Sequence, residues 1–258
     1  MNIGSKVKFA FLIAIKKAGF EIKRTNGKHS ISISEANAFD LETIRLASRS
    51  SMQSSERMWA LINATKYIIK NNIPGHFVEC GVYKGGSALI IARTLKFMNV
   101  TDRHIYLYDT YEGMTRPGEF DRKQGTETLA SEMLAMTPKG TGENIWAWSS
   151  LDDVSDFVAR LDYPNKHFHL IKGDVMKTLE EKLPDHISLL RLDTDWHEST
   201  RMELNKLYPL VTHGGVIIID DYGHWSGSKL AVDQFLDENS LYPLINYIDY
   251  AGRLWIKN

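Results

Sequence analysis

The chain has a single cysteine, Cys80, among its 258 residues. One cysteine excludes an internal disulfide and any zinc site built from thiolates, and it agrees with a reducing compartment, so a cytoplasmic protein is expected. A charge imbalance is also lacking: 31 basic residues stand against 32 acidic ones, for a formal net charge of −1. Such a balance gives no field for gripping a phosphate backbone, so a small molecule rather than nucleic acid is the expected partner. Nowhere does the sequence approach the roughly 18–20 consecutive apolar residues that cross a bilayer. Internal repeats and low-complexity tracts are absent, and the length suits one large core.

The nearest thing to a long apolar run is at the N-terminus, where Lys6–Lys17 reads KVKFAFLIAIKK. Lysines follow the apolar block directly and no small-residue cleavage site is evident, which argues against a secretory signal. Two readings stay open for Met1–Arg24. One is a helix packed on its own domain or on a second subunit of a homo-oligomer. The other is a basic amphipathic helix in peripheral contact with an anionic membrane, at the inner face. Residues 1–54 are read as this helix plus a polar connecting segment, with one short helix at Glu42–Ala47.

The most informative stretch runs from His186 to Trp225. Two apolar runs, Ile187–Leu192 and Val216–Ile219, have the composition of strands buried on both faces of a sheet. The first delivers Asp193 and Asp195, and the second delivers Asp220 and Asp221. A helix over Ser199–Tyr208 makes them a strand–helix–strand unit, whose parallel strands end at the same sheet edge. Four carboxylates so placed repel one another unless a cation or shared protons neutralise them, and oxygen-only ligands favour Mg2+ or Mn2+.

Upstream, a helical pattern from Ser55 stops at Pro74-Gly75 and is followed by a strand, His76–Cys80. The strand leads into Gly81-Val82-Tyr83-Lys84-Gly85-Gly86-Ser87 and then a helix, so these glycines occupy a strand-to-helix turn where a ligand can approach the backbone. A pyrophosphate would not favour Glu79 at the strand end, whereas the ammonium of an amino-acid-like ligand would. This points to S-adenosylmethionine rather than a dinucleotide. The next strand, Ile105–Tyr108, ends in Asp109-Thr110, where an acid can accept hydrogen bonds from ribose hydroxyls. A third strand, Phe168–Ile171, ends near Asp174, which either flanks an adenine or simply makes a Gly-Asp turn.

Residues 112–164 form a long polar insertion with a helix at Leu151–Leu161, of a length typical of lids and substrate loops. A helix at Ser228–Leu236 and a hairpin of Leu244–Ile248 with Leu254–Lys257 close the chain. The alternation predicts one three-layer α/β domain over residues 55–258, with a Rossmann-like, mostly parallel sheet of seven strands and an antiparallel C-terminal hairpin. His197 and His224 lie beside the acids and could act as bases near neutral pH. Cys80 is expected to be a small core residue behind the loop.

From about Glu56 onward the sequence resembles the macrocin O-methyltransferase family, metal-dependent enzymes acting on sugar hydroxyls. The resemblance rests on Pro74-Gly75-x-x-Val78-Glu79-Cys80-Gly81-Val82-x-x-Gly85-Gly86, Asp109-x-x-Glu112-Gly113-Met114, Leu190-Arg191-Leu192-Asp193-x-Asp195-x-x-Glu198-Ser199-Thr200, Gly214-Gly215 and Asp220-Asp221-Tyr222-Gly223. It implies a class I methyltransferase sheet with S-adenosylmethionine over Glu79–Ser87, Mg2+ on Asp193, Asp220 and Asp221, and Asp195 as general base. The family often has tyrosine at the position of His197. The implied acceptor is a glycan or glycosylated small molecule with neighbouring hydroxyls. Two rivals remain: a metal-dependent glycosyltransferase using Asp193-Thr194-Asp195, and a non-catalytic scaffold on a methyltransferase-like sheet.

Overall fold

The computed structural model of the chain describes residues 33–139 and 144–258. The Met1–Arg24 segment, with its two readings, lies outside the described residues. Glu35–Asn258 form one compact unit.

Its centre is a seven-stranded sheet in the order β3-β2-β1-β4-β5-β7-β6. The strands are β1 (His76–Cys80), β2 (Ile105–Asp109), β3 (Phe168–Lys172), β4 (Ile187–Leu192), β5 (Val211–Ile219), β6 (Asn246–Tyr247) and β7 (Arg253–Ile256). β1 to β5 are parallel, and β7 runs antiparallel to both β5 and β6. The chain moves outward from β1 through β2 to β3 and then returns to lay β4 on the other side of β1. That reversal opens a crevice at the carboxyl ends of β1 and β4, where ligands bind in sheets of this kind.

The helices are α1 (Ala38–Ala47), α2 (Ser55–Lys70), α3 (Gly86–Phe97), α4 (Ala130–Met136), α5 (Leu151–Ala159), α6 (Val175–Glu181), α7 (His197–Leu207) and α8 (Ser226–Glu238). α1 starts four residues before the expected Glu42, because Asn37 and Asp40 cap it reciprocally. Within β4 every residue is buried, and the core beneath the crevice joins Val78, Leu190 and Ile217 of three neighbouring strands. Such runs need helices on both faces. β5 begins earlier than its apolar run, at Val211, and passes through Gly214 in a left-handed conformation (φ 80°). The C-terminal hairpin is shorter than expected. The Asp249 carboxylate accepts from the amides of Ala251 and Gly252, folding residues 249–252 into a turn before pairing can extend.

The 112–164 insertion carries α4 and α5 and a small core of its own. Trp196 and Trp225, from the loops after β4 and β5, pack edge to face at 5.1 Å against Ala130 and Leu134 of α4. Each indole removes about 150–250 Å² from water, a stabilisation of roughly 4–6 kcal/mol by area. The insertion is thus fastened to the loops that carry the acids.

Candidate active site

At the crevice lies a cleft of about 380 Å³, walled by the loops after β1, β2, β3, β4 and β5. On the β1 side the loop is set by backbone geometry. Gly81 has φ +88°, and a Cβ there would run into the backbone of Asp193, so only glycine lets the β1 and β4 loops lie this close. Asp109 accepts from the amides of Val82 (2.7 Å), Tyr83 (3.1 Å) and Tyr111 (2.7 Å). It holds the glycine loop from the neighbouring strand; burial raises its pKa and these three amides oppose the rise.

Of the residues expected at a cofactor, Gly81, Val82, Tyr83, Ser87, Asp109, Thr110 and Asp174 line the cleft. Glu79, Cys80 and Gly85 stand behind it. Gly85 serves as the left-handed cap of α3. Glu79 is 1% exposed and takes Arg191 on one oxygen at 2.5 Å, while its other oxygen has no partner. Burial pushes its pKa up to about 7 against the pull of Arg191. Burial likewise raises the Cys80 thiol, which makes it an inert core group. Asp174 caps α6 by accepting from the Met176 amide at 3.0 Å, so both expectations for it hold at once: a turn, and a place at the cleft wall.

The acids meet on the opposite side. Carboxylate oxygens of Asp193, Asp195 and Asp221 all lie within 4.8 Å of one another. Asp195 has a left-handed backbone, φ +66°, which is uncommon for a non-glycine residue and is found where a side chain must be aimed. Burial pushes the pKa of Asp195 up to about 7, and burial with mutual repulsion holds Asp193 and Asp221 well above the usual carboxylate range. Arg191 reaches Asp193 at 2.9 Å, yet Asp221 Oδ2 is buried without a partner. Asp221 faces both Asp193 and Asp195, so the three acids must either share protons or take up a cation.

Asp220 is placed differently from the other three. Consecutive side chains at a strand end alternate in direction, so Asp220 turns from Asp221 towards two buried guanidiniums. It accepts from Arg191 at 2.5 Å and from Arg57 of α2, and Arg57 in turn reaches Asp249 at 3.0 Å. A place for Asp220 in a metal shell requires it to share an oxygen with one of these arginines.

Comparison with known proteins agrees with this arrangement. A profile of the family described as macrocin-O-methyltransferase (TylF) matches residues 23–257. The chain belongs to that family. It is 29% identical over 213 residues to demethyldecarbamoylnovobiocin O-methyltransferase of Streptomyces niveus, covering 81% of this chain and 76% of the relative. It is 27% identical over 207 residues to the 8-demethyl-8-(2,3-dimethoxy-alpha-L-rhamnosyl)-tetracenomycin-C 4'-O-methyltransferase of Streptomyces olivaceus, covering 79% and 74%. Among solved structures, the O-methyltransferase NovP superposes with a TM-score of 0.71 at 27% identity, over 81% of this chain and 82% of that one. The fold is that of a class I methyltransferase, and the protein is an S-adenosylmethionine-dependent O-methyltransferase.

In this macrocin-type O-methyltransferase, His197 does not join the acids. Its Nε2 pairs with Gln234 Oε1 at 2.8 Å, its ring packs on Phe120 at 4.9 Å, and its amide begins α7. His224 does line the cleft; its Nδ1 lies 3.2 Å from the Tyr250 hydroxyl, and burial lowers its pKa. Sequence patterns did not single out Arg57 or the cleft-lining segment Ser50–Gln53. That segment sits over the start of α3, where Ser50 O accepts from Gly86 N at 3.1 Å and Gln53 Nε2 donates to Ser87 Oγ at 2.7 Å. A polar stretch gives no periodic signal, and Arg57 sits in a helical pattern like any surface arginine. Arg191 did carry a signal: a charged residue inside a fully buried strand requires a partner.

Proposed function

We propose that this enzyme transfers the methyl group of S-adenosylmethionine to a hydroxyl of a sugar, borne on a glycosylated small molecule or glycan with neighbouring hydroxyls. The curated relatives, whose names describe O-methylation of demethyldecarbamoylnovobiocin and of a rhamnosyl tetracenomycin, support the substrate class. The observation that carries the reading is the set of three under-neutralised carboxylates opening into the same cleft as the glycine loop.

Asp193 and Asp221, with Asp220 shared from its arginines, would hold Mg2+ or Mn2+. Once bound, the ion supplies the Lewis acidity that brings a hydroxyl pKa down from near that of water, about 15.7. The sulfonium of the bound cofactor supplies an electrophilic methyl group. Asp109 fixes the loop over which the adenosyl part would lie, and it would meet the ribose by exchanging one of the hydrogen bonds it now accepts from that loop and from Thr110 and Tyr111. Asp195 accepts the hydroxyl proton: its strained backbone aims it into the cleft, and a pKa near 7 matches a general base working at neutral pH. Met114, Met133 and Trp225 wall the acceptor side and exclude water.

Isothermal titration calorimetry with S-adenosylmethionine in EDTA, followed by methyl transfer to a panel of glycosides with and without Mg2+, tests this. Cofactor binding without metal and Mg2+-stimulated transfer to a vicinal diol are expected. Transfer that ignores both EDTA and Mg2+ would remove the metal from the mechanism. A glycosyltransferase would instead bind a nucleotide sugar, and family membership leaves that reading without support.

A further inference from the structure

Asp121 belongs to the insertion, is 0% exposed, and touches none of the groups proposed for chemistry. Its position is nonetheless unusual. Oδ1 accepts the His197 amide at 2.8 Å, and Oδ2 accepts the Gly118 amide at 2.6 Å. Its backbone carbonyl accepts the Ala130 amide at the start of α4. α7 has no capping side chain of its own, since Trp196 stands at its N-cap. Asp121 supplies that cap from 76 residues away in sequence. At α8 the fit is just as close, because a Cβ on Gly227 would run into Asp121 Oδ1. One carboxylate therefore stands at the N-terminal ends of both α7 and α8, where two helix dipoles favour negative charge.

These two helices follow the two acid loops. Asp193–Trp196 leads into α7, and Asp220–Trp225 leads into α8. Around Asp121, further bonds tie the insertion to the same loops. Trp196 Nε1 donates to Thr115 O at 3.1 Å, Ser226 N donates to Arg122 O at 2.9 Å, and Gln124 N donates to His224 O at 2.8 Å. β4 and β5 fix the loops from below; from above, Asp121 bonds the start of α7 and packs against Gly227 of α8, while Arg122 and Gln124 beside it bond the start of α8 and the loop after β5.

We propose that Asp121 is a positioning residue that locks the two acid loops to each other and to the acceptor wall, setting the separation of Asp193 and Asp195 from Asp221. The part of the insertion around it is accordingly a fixed wall rather than a swinging lid. This rests on the reading of those acids as the reaction centre. Asp121 acts through the N-termini of α7 and α8 and not on substrate.

Two variants approach the same contact from opposite sides. Asp121→Asn keeps the volume but turns one acceptor into a donor facing an N–H, and Gly227→Ala drives a methyl group against Oδ1. Hydrogen exchange and Mn2+ binding by paramagnetic resonance are to be measured on the full chain, with calorimetry of S-adenosylmethionine as the control. Both variants should raise amide exchange across 193–198 and 221–227 by about tenfold, the scale of a lost cap. Mn2+ affinity should fall by about tenfold or more, the size of loss typical when a residue orienting metal ligands is removed, while cofactor affinity stays within about twofold. A residue that is merely structural would lower the melting temperature and leave native-state Mn2+ affinity alone, which would overturn the proposal, as would unchanged loop exchange in both variants. Wild-type protein that binds no Mn2+ would count against the metal reading, and the exchange comparison would still decide the role of Asp121.

Discussion

Arg191 and Glu79 are register partners on adjacent parallel strands, and the guanidinium donates to the carboxylate at 2.5 Å with both residues 1% exposed. The same guanidinium reaches Asp220 at 2.5 Å and Asp193 at 2.9 Å. The strand end beneath the glycine loop and the acids beyond β4 and β5 are therefore joined through one cation. Removing it would leave buried carboxylates uncompensated, and breaking a buried pair in this way costs about 3–5 kcal/mol.

Arg191→Met is accordingly expected to lower unfolding stability by that amount. Glu79→Gln alone should cost less, because burial already works against the charged form of Glu79 and pushes its pKa up to about 7. The double variant should recover part of the loss. Urea unfolding of the two singles and the double gives the coupling. Strict additivity would mean that the pair does not act as a unit.

Asp195→Asn should leave S-adenosylmethionine and metal affinity nearly intact while reducing turnover by about 10²- to 10⁴-fold, the usual weight of a general base. His197→Ala should cost much less in rate, since its ring is held by Gln234 and Phe120 away from the cleft. Turnover of both variants at saturating Mg2+ ranks them, and a more severely damaged His197→Ala enzyme would reassign the base.

The acid cluster sets a pH dependence for the metal-free protein. Asp195 rises from 3.8 to about 7 on folding, and Asp193 and Asp221 rise as well, chiefly through burial. A raised folded pKa gives stability that is fully present below the unfolded value and is lost as pH rises through the folded one. Between about pH 4 and 7 this cluster should therefore erode stability as pH increases. Asp221→Asn should flatten that slope and raise metal-free stability at pH 8, as measured by thermal melts in EDTA. An unchanged slope would mean the cluster is not under strain.

At the opposite end of the sheet, histidines impose the reverse trend. His104 Nδ1 lies 2.6 Å from His169 Nε2, and the ring of His104 meets those of His76 and His167 within 4.8 Å. Burial lowers the pKa of His76, His167 and His169 from 6.5, and the charge of His104 adds to the effect. A lowered folded pKa gives stability that is complete above the unfolded value and lost as pH falls below it. Stability should thus fall as pH drops below 6.5, and His169→Gln should reduce the fall. The difference between wild type and variant, followed by denaturant unfolding at pH 5 and pH 7.5, isolates this contribution from that of the acids.

Much of this protein is determined by local sequence. Apolar runs bounded by turns marked β4 and the end of β5; a glycine-rich strand-to-helix turn and two acid pairs at the ends of β4 and β5 marked segments that line the cleft. These features depend on periodicity and on neighbours a few residues away, so they survive in the sequence as patterns. Tertiary structure alone decided which acids face one another. Asp220 and Asp221 are adjacent in the chain, yet alternation at the strand end sends one to Arg57 and Arg191 and the other to Asp193 and Asp195. It also recruited Gln53 to the cleft, turned His197 away from it, and brought Asp121 to the start of α7. Those outcomes rest on hydrogen bonds and ion pairs between residues 29 to 163 positions apart. No periodicity encodes such pairings, because burial obliges each charged group to find a partner wherever the fold brings one within reach.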